Sequence, residues 1–567
     1  MNEGYPIHWL DEIVEKILER NESLITLATG KTPSGFIHLG ILREMIICDS
    51  IRRIMEEKGK DVRLFLFLDS LDAAKRFPEY IDQEFQKKYL GKPFSYIPCP
   101  FQDCQCESYA HHFGNDLSST FPDFGIKTEI VWTHELYKTK EMQERIKVAL
   151  ENKEKIKKII RKYLLPTLDD DKKANFIEMQ KSWMPVMVIC EKCEKIQHRQ
   201  EDDTIKPNRV KEYLKEEQKV TYSCNSCGHV GKISIYSGRL KLNWRVDWPA
   251  KWALYKTTCE PAGKDHSVKG GAYDTGLELC QEIYNFIGPV KVPYEWLRLG
   301  DRDMKTSKGI VFTPNKFLEI ADPEVFRAFI LKTNPLKHIS FRTEEIPQYY
   351  DYYERMEEEF FLEDSSEGSD MVESQFLFPL TQIHEIPTKK SLRIPFKLLI
   401  FLAQVQNILT IEKLYEKAKE ASKTENFEEE ISIEQFKKLI NQTASWLSNV
   451  KEVIESEENE KVKKEILRKI NIFAIPETLD NDMINSLTDT QKKGITLLRE
   501  YLINEEFYSP DLIQNKIFTI ANEDIGISPR KLFEAIYKII LGKKSGPRLG
   551  SFLSLLDKNW LLERLNL

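Results

Sequence analysis

A glycine-containing turn at residues 29–40, TGKTPSGFIHLG, has the residue types of a phosphate-binding site. It follows a short apolar run, 24–29, and a helical pattern begins directly after it. Glycine lets a phosphate approach the backbone closely, and a helix N-terminus points free N–H groups at an anion. His38 can donate a hydrogen bond to phosphate oxygens as negative charge develops on them. The alternative is a plain strand-to-helix turn in which His38 packs or caps.

A second stretch, 303–309 with the sequence DMKTSKG, carries two lysines three residues apart, Lys305 and Lys308. Small hydroxyl residues join them, which is typical of a mobile cationic loop that can close on a leaving pyrophosphate. By itself the stretch would be read as a basic surface loop. Its pairing with the first turn favours a single nucleotide site built from both.

Two CxxC pairs lie in a region rich in cysteine, and each pair can bend into a knuckle that offers two thiolates to one tetrahedral ion. A redox pair is the alternative, but it does not explain why there are two pairs. The first predicted zinc site therefore has the ligands Cys190, Cys193, Cys224 and Cys227.

A smaller cysteine and histidine cluster precedes these pairs, and His112 lies on a predicted helix from which it can point back at the thiols. Reduced, unliganded cysteines are the alternative. The second predicted structural zinc site has the ligands Cys99, Cys104, Cys106 and His112.

The elements around these residues predict the fold. A strand at 24–29, a helix through 42–54 and a second apolar run at 63–68 make a βαβ unit on a parallel sheet. We predict an α/β protein: a Rossmann-like parallel-sheet catalytic domain with a zinc-binding insertion and an all-α C-terminal region. The predicted boundaries are 1–94 and 241–315 for the two catalytic halves, 95–240 for the insertion, 316–385 for a helical linker and 386–567 for the helical region.

Composition restricts the class of protein. The 567 residues are 41% apolar and 31% charged, and no apolar stretch approaches the ~20 residues that span a bilayer. The first residues lack a basic segment followed by an apolar one, so we predict a cytoplasmic protein without a membrane partner. The net charge of −7 does not favour nucleic acid, although a local basic face such as 153–162 is enough to bind it. A solvated helix surface is the alternative for that face.

Several separated strings resemble one family. Pro33–Gly40 is similar to the first motif of class I aminoacyl-tRNA synthetases, usually His-Ile-Gly-His, and Met304–Gly309 resembles the second, usually Lys-Met-Ser-Lys-Ser. The strings 244–249 (WRVDWP), 265–276 (DHSVKGGAYDTG) and 528–556 are similar to the class I lysyl-tRNA synthetases of the archaeal type. The resemblance covers nearly the whole chain.

The resemblance implies ATP-dependent activation of L-lysine to lysyl-adenylate, with Mg²⁺, and transfer to the 3′-terminal adenosine of tRNA(Lys). It implies that the insertion and the 316–385 linker contact the acceptor stem and that 386–567 binds the anticodon. It also supports a mixed zinc site near Cys99. The oligomeric state remains open.

The resemblance also implies individual site residues. His38 would steady the α-phosphate region and Lys308 the leaving pyrophosphate, as the catalytic pair. Residues implied in ATP binding are Pro33, Ser34, Gly35, His38, Gly40, His266, Gly270, Lys305, Ser307 and Lys308. Those implied around the amino acid are Gly30, Thr32, Trp244, Asp247, His266 and Tyr294, with Asp247 as an acidic partner for a substrate ammonium. Trp244 as a core aromatic, Asp247 paired with Arg245 and His266 as a packed histidine are the alternatives.

Two positions depart from the family pattern. Ile41 stands where the first motif ends in His or Asn, and its side chain cannot form a hydrogen bond. Alignment on Met304 puts Asp303 at the first lysine of the second motif, so Lys308 rather than Lys305 is the predicted catalytic lysine.

Three other functions are weighed. A glutamyl- or glutaminyl-type synthetase shares the turn but not the WRVDWP string, and a small-substrate nucleotidyltransferase does not explain the helical tail. A catalytically inactive zinc-ribbon tRNA-binding protein gains support from Ile41 and Asp303, while Lys308 and the intact turn Pro33–Gly40 count against it.

Overall fold

The computed structural model describes residues 8–200, 204–304, 306, 311–362, 369–422, 427–478, 481–504 and 509–567. These described residues group into two compact units. The first contains the described parts of Met1–Leu318, Asp322–Arg342 and Tyr352–Ile386, and the second those of Glu319–Ala321, Thr343–Asp351 and Pro387–Leu567.

The strands are β1 Leu24–Lys31, β2 Asp61–Leu68, β3 Glu129–Trp132, β4 Val186–Val188, β5 Gln197–Arg199, β6 Ile205–Pro207, β7 Arg209–Leu214, β8 Lys219–Ser223, β9 Val230–Ser234, β10 Leu240–Leu242, β11 Cys259–Gly263, β12 Val290–Tyr294, β13 Leu297–Leu299, β14 Arg302–Asp303 and β15 Ile339–Phe341.

The helices up to residue 381 are α1 Trp9–Leu18, α2 Ile41–Glu57, α3 Gln83–Tyr89, α4 Tyr109–Ser118, α5 Thr133–Leu136, α6 Lys140–Glu151, α7 Lys153–Leu164, α8 Asp170–Lys181, α9 Trp244–Tyr255, α10 Lys264–Ser267, α11 Ala272–Tyr284, α12 Pro314–Leu318, α13 Pro323–Leu331, α14 Ile346–Phe361 and α15 Ser369–Thr381. Those that follow are α16 Phe396–Gln404, α17 Ile411–Ser422, α18 Phe427–Glu430, α19 Ile433–Ser456, α20 Glu460–Ile470, α21 Asn481–Asn485, α22 Asp489–Asn504, α23 Pro510–Thr519, α24 Pro529–Leu541, α25 Leu549–Leu555 and α26 Lys558–Arg564. No described helix is both long enough and apolar enough to cross a membrane.

The central sheet of the first unit has the strand order β12-β11-β1-β2-β3, and all its pairs are parallel. Strand β1 lies in the middle because its residues 25–29 are apolar or small and become buried on both faces. It runs in register with β2, from Leu24 opposite Asp61 to Lys31 opposite Leu68. The predicted parallel-sheet α/β fold is confirmed, and the carboxyl ends of these strands meet at one edge.

The chain between β3 and α9 contains several short antiparallel sheets. Strands β7, β8 and β9 make an antiparallel sheet, β5 pairs with β6, and β10 pairs with β4. The short antiparallel hairpins are the architecture that brings distant CxxC pairs together.

Helix α2 is buried along most of its length, and its buried residue Asp49 is paired with arginines inside the first unit. Asp49 is fully buried and forms an ion pair with the fully buried Arg327, 2.9 Å apart. Arg52 and Arg53 also contact the Asp49 carboxylate. This network fixes α2, and with it the turn that precedes α2.

The second unit is helical where it is described beyond Pro387, as the sequence predicts. Its longest helix, α19, begins with a capping box at Ser432 and Gln435. Trp446 on α19 is fully buried, and its indole N–H donates to the carbonyl oxygen of Thr343 at 2.7 Å.

Candidate active site

His38 lies in the turn between β1 and α2, against the backbone of Gly40. The Gly40 N–H donates to His38 Nδ1 at 3.1 Å. A Cβ at position 40 would come within 2.8 Å of two ring atoms of His38, so the close packing requires glycine. Because Nδ1 accepts a hydrogen bond, the proton of the neutral ring is on Nε2, which is then a donor.

The His38 ring is neutral over the physiological pH range. Burial, together with a smaller effect of the Lys31 charge, lowers the pKa of His38 to about 3. The Nε2–H of the neutral ring can donate a hydrogen bond to a phosphate oxygen as negative charge develops on it.

The described residues around the second motif lie against this turn. Leu39 N–H donates to the carbonyl oxygen of Phe312 at 2.7 Å. The carbonyl oxygen of Thr306 lies 3.3 Å from the position that a Cβ on Gly35 would occupy. Three predicted site residues in this stretch, Lys305, Ser307 and Lys308, lie outside the described residues.

A cavity of about 270 Å³ opens where β1, β11 and β12 end, beside α9. It is lined by Thr29, Gly30, Lys31, Glu44, Asp69, Trp244, Asp247, Trp248, Lys251, Glu260, Pro261, Ala262, Gly263, His266 and Tyr294. The ring centroids of Trp244 and His266 are 5.6 Å apart, and Trp244 is 46% exposed. The cavity therefore has an aromatic mouth and a charged interior.

Lys251 neutralises one part of the charged interior. Its ammonium contacts Asp69 at 2.6 Å and Asp247 at 2.9 Å. Burial lowers the pKa of Lys251, but the charges of Asp247 and Asp69 outweigh this effect and the pKa ends above its ordinary value. The Tyr137 hydroxyl also donates to Asp247, at 2.5 Å. Asp247, which the sequence suggests as the partner of a substrate ammonium, thus already has partners within the protein. They are Lys251 and Tyr137, and not the Arg245 of the alternative interpretation.

Glu44 and Glu260 are the other carboxylates of the cavity. Tyr294 donates its hydroxyl proton to Glu44 at 2.9 Å. The indole N–H groups of Trp248 and Trp252 donate to Glu260 at 2.8 and 2.5 Å. Neither carboxylate has a cationic side chain within 4 Å among the described residues.

Burial raises the pKa of both carboxyl groups. Burial raises the pKa of Glu44, while the charge of Lys31 and hydrogen bonds from Thr29 and Tyr294 oppose the increase. Burial also raises the pKa of Glu260, to about 7, against the effect of its indole partners and with a contribution from the Glu44 charge. A cation bound between them would relieve both effects.

The structure brings most of the predicted amino-acid-binding residues together. Gly30, Trp244, Asp247, His266 and Tyr294 line the cavity. Thr32 is not among the lining residues, and its hydroxyl donates to Asp72 at 2.7 Å.

The remaining predicted ATP-binding residues lie along the turn and beside α11. The Ser34 carbonyl oxygen accepts a hydrogen bond from Tyr109 at 3.0 Å. Pro33 and Gly35 are buried next to it. Gly270, with φ of +75°, donates its N–H to Asp274 at 2.8 Å.

Sequence reasoning missed several charged residues of the cavity. On helix α9, Lys251 lies four residues after Asp247 and seven after Trp244, so helical spacing places all three on one face. Glu260 is a charged residue inside a buried strand, which by itself marks a candidate site. Lys31 and Glu44 gave no comparable signal, because they line the cavity only once β1 and α2 have folded.

The four thiols of the CxxC pairs form one compact group. The Sγ atoms of Cys190 and Cys227 are 3.7 Å apart, and those of Cys193 and Cys224 are 3.6 Å apart. Tetrahedral Zn–S bonds of about 2.3 Å place sulfurs about 3.8 Å apart, whereas a disulfide needs about 2.05 Å. The donor set and its spacing therefore fit a tetrahedral metal ion.

The second cluster is assembled in part. Cys99, Cys104 and His112 offer ligand atoms within 4.8 Å of one another. His112 Nδ1 is 3.2 Å from Cys104 Sγ. The fourth predicted ligand, Cys106, is outside this group, and its backbone N–H donates to Cys104 Sγ at 3.4 Å. The three grouped residues could hold a metal ion.

Comparison with known proteins agrees with this geometry. The family model described as tRNA synthetases class I (K) matches residues 7–382, and the anticodon binding domain model matches residues 413–567. The lysine–tRNA ligase of Methanocaldococcus jannaschii is 35% identical over 99% of this chain and 100% of that protein. Those of Methanococcus maripaludis and Archaeoglobus fulgidus are each 31% identical, over 99% of this chain and 100% and 99% of their own lengths. The chain matches the family model over residues 7–382 and its relatives from end to end, and it belongs to the class I tRNA synthetases (K).

Proposed function

We propose that the chain is a lysine–tRNA ligase, which activates L-lysine with ATP to lysyl-adenylate and transfers it to tRNA(Lys). Full-length similarity to lysine–tRNA ligases supports this proposal. The site residues named below are part of it.

The charge pattern of the cavity is the single observation that carries the choice of lysine. Glu44 and Glu260 are buried carboxylates without a cation within 4 Å among the described residues, whereas Lys251 neutralises the other acids in part. L-Lysine brings two ammonium groups. Glutamate brings one ammonium and two carboxylates, which this interior would repel.

Within the cavity, the proposed position of the side-chain ammonium is beside the Glu44 carboxylate and the Tyr294 hydroxyl. The hydrogen bond from Tyr294 to Glu44 Oε2 holds the carboxylate in place, and a carboxylate has further lone pairs that can accept from the ammonium. Above its pKa of about 7, Glu260 supplies a second negative charge at the cavity wall. The aromatic rings of Trp244 and Trp248 flank the aliphatic stem.

The first step needs positioning rather than a protein nucleophile. The substrate carboxylate attacks the α-phosphorus of ATP, the new O–P bond forms, and the bond to pyrophosphate breaks. His38 Nε2–H donates to a phosphate oxygen as charge builds up on it. Lys308 is the proposed partner of the departing pyrophosphate, and Mg²⁺ is the proposed counter-ion of the phosphates. The flanking residues Thr306 and Phe312 lie against the His38 turn, which supports this placement.

In the second step a ribose hydroxyl of the terminal adenosine attacks the activated carbonyl, and AMP leaves. We place the acceptor stem on the insertion and the anticodon on residues 386–567. A groove of about 720 Å³ between α7 and α8 presents Lys157, Lys158, Arg161 and Lys181, which supports contact with phosphates. This groove includes the basic face recognised in the sequence.

Amino-acid-dependent ATP–pyrophosphate exchange, run with each standard amino acid and with or without tRNA(Lys), tests the proposal. We expect exchange with lysine. Exchange with glutamate instead would remove the lysine assignment, and a folded protein inactive with every amino acid would favour an RNA-binding protein without catalysis.

Lysine affinity is expected to increase as pH rises through about 7. Glu260 has a pKa of about 7, so its carboxyl group is neutral below that pH and attracts the substrate ammonium above it. Below the pKa, each pH unit weakens binding by up to about tenfold. Calorimetric Kd values between pH 6 and pH 8 measure the effect. Glu260→Gln should make the Kd for lysine nearly independent of pH, whereas the exposed-site control Glu57→Gln should keep the wild-type dependence. If Glu260→Gln also keeps the wild-type dependence, another group is responsible for the titration.

The purified protein is expected to contain about two zinc ions per chain, one for each cluster, by elemental analysis. Cys227→Ser and Cys104→Ser should each remove one ion, whereas Cys280→Ser, outside both clusters, should remove none. If the wild type contains a single zinc ion and Cys104→Ser still contains it, the Cys99 cluster holds no metal.

A further inference from the structure

Lys31 is a charged residue of the cavity for which the protein supplies no partner. It is the last residue of β1, and its backbone is fixed because its carbonyl oxygen accepts a hydrogen bond from Asp69 N–H at 2.9 Å. Its side chain lines the cavity. Among the described residues, its ammonium has neither a hydrogen-bond acceptor nor an acid within 4 Å.

Lys31 acts electrostatically on two parts of the site. Burial lowers the pKa of Lys31, and the charge of Glu44 opposes this. The charge of Lys31 in turn lowers the pKa of His38. Lys31 is thus close enough to influence both the ammonium-binding carboxylate and the phosphate-binding imidazole.

An unpaired ammonium in this environment is unfavourable unless a ligand provides an anion. The contrast with Lys251 is informative, since Lys251 lines the same cavity and contacts two carboxylates. Ile41, the first residue of α2, is apolar and 2% exposed, so it offers no side-chain donor to an anion. A negatively charged group of a ligand would therefore be a favourable partner for the Lys31 ammonium.

We propose that Lys31 is a further catalytic residue that binds the α-carboxylate of the amino-acid substrate and holds it against the α-phosphate of ATP. This inference rests on the proposed lysine activation. With the side-chain ammonium at Glu44 and the phosphate at His38, the reacting carboxylate lies between them, where Lys31 is. The ammonium orients the attacking oxygen and, as the O–P bond forms, remains beside the oxygens of the α-phosphate.

A comparison of two ligands separates this role from a general effect on the cavity. L-Lysinamide keeps both ammonium groups of lysine but lacks the carboxylate charge. In Lys31→Met we expect Kd for L-lysine to rise about tenfold or more, and Kd for L-lysinamide to change less than about threefold, since only the first ligand loses a charged partner. Lys31→Arg, which keeps the charge, should recover part of the affinity for lysine, and the exposed-site control Lys58→Met should match the wild type.

The rate of adenylate formation provides a second measurement. At saturating lysine and ATP, Lys31→Met should lower kcat for exchange about tenfold or more because the carboxylate is no longer oriented. Equal losses for both ligands would make Lys31 a structural residue of the cavity, and no loss for either would remove it from the site. Wild-type protein that fails to bind or activate lysine would instead refute the proposed function.

Discussion

Replacing His38 with alanine is expected to slow lysyl-adenylate formation by about 10²- to 10³-fold, the usual cost of removing one preorganised donor. The structure explains the magnitude, because Gly40 N–H fixes the ring through Nδ1 and leaves Nε2–H as the donor. KM for lysine should change little, since His38 does not line the cavity. Single-turnover formation of adenylate measures the rate without the later transfer step.

Three comparisons sharpen this prediction. His38→Gln, which can place an N–H near the original Nε2, should retain more activity than His38→Ala. His384→Ala, at an exposed histidine, should be fully active. The deficit of His38→Ala should be the same at pH 6 and pH 8, because the wild-type ring, with a pKa of about 3, is neutral at both. Near-normal adenylate formation by folded His38→Ala would remove this residue from catalysis.

Replacing Glu44 with glutamine is expected to raise KM for lysine by about 10²- to 10³-fold. Removing one partner of a buried, hydrogen-bonded charge pair weakens binding by a factor of this size. The amide that replaces the carboxylate is neutral, and the substrate ammonium then enters a buried cavity without its counter-charge. KM for ATP should stay within a few-fold of the wild-type value. Exchange kinetics with each substrate varied in turn give both constants.

The controls for Glu44 come from its own helix and its own partner. Glu57→Gln, at the exposed end of α2, should leave both constants unchanged. Tyr294→Phe removes the hydroxyl that holds the carboxylate and should raise KM for lysine by a smaller factor, about tenfold. An unchanged KM for lysine in Glu44→Gln would place the side-chain ammonium elsewhere in the cavity.

The sequence predicts the elements around the site well, because their patterns are local. The apolar run at 24–29 and the helical spacing after residue 40 correspond to β1 Leu24–Lys31 and α2 Ile41–Glu57. The run at 63–68 corresponds to β2 Asp61–Leu68. The CxxC spacing likewise indicates a metal ligand set without knowledge of the strands between the pairs.

The charge balance of the cavity could not be predicted in the same way, because it depends on contacts between distant elements. Asp69 and Lys251 are 182 residues apart in the sequence. They form a hydrogen bond only because β2 lies beside β1 and α9 packs at the carboxyl edge of the sheet. That contact satisfies Lys251 and leaves Glu44, Glu260 and Lys31 for a ligand. A single sequence shows which residues are charged but not which of them the fold has paired.

The central claim is that the cavity at the ends of β1, β11 and β12 holds the lysyl group while the His38 turn holds the phosphate. A crystal structure with lysyl-sulfamoyl-adenosine, a stable analogue of the adenylate, tests it most directly. We predict the side-chain ammonium within hydrogen-bond distance of Glu44 and Tyr294, and the sulfamoyl group beside His38 and Lys31. A lysyl group bound outside this cavity, with the sulfamoyl group away from His38, would contradict the account.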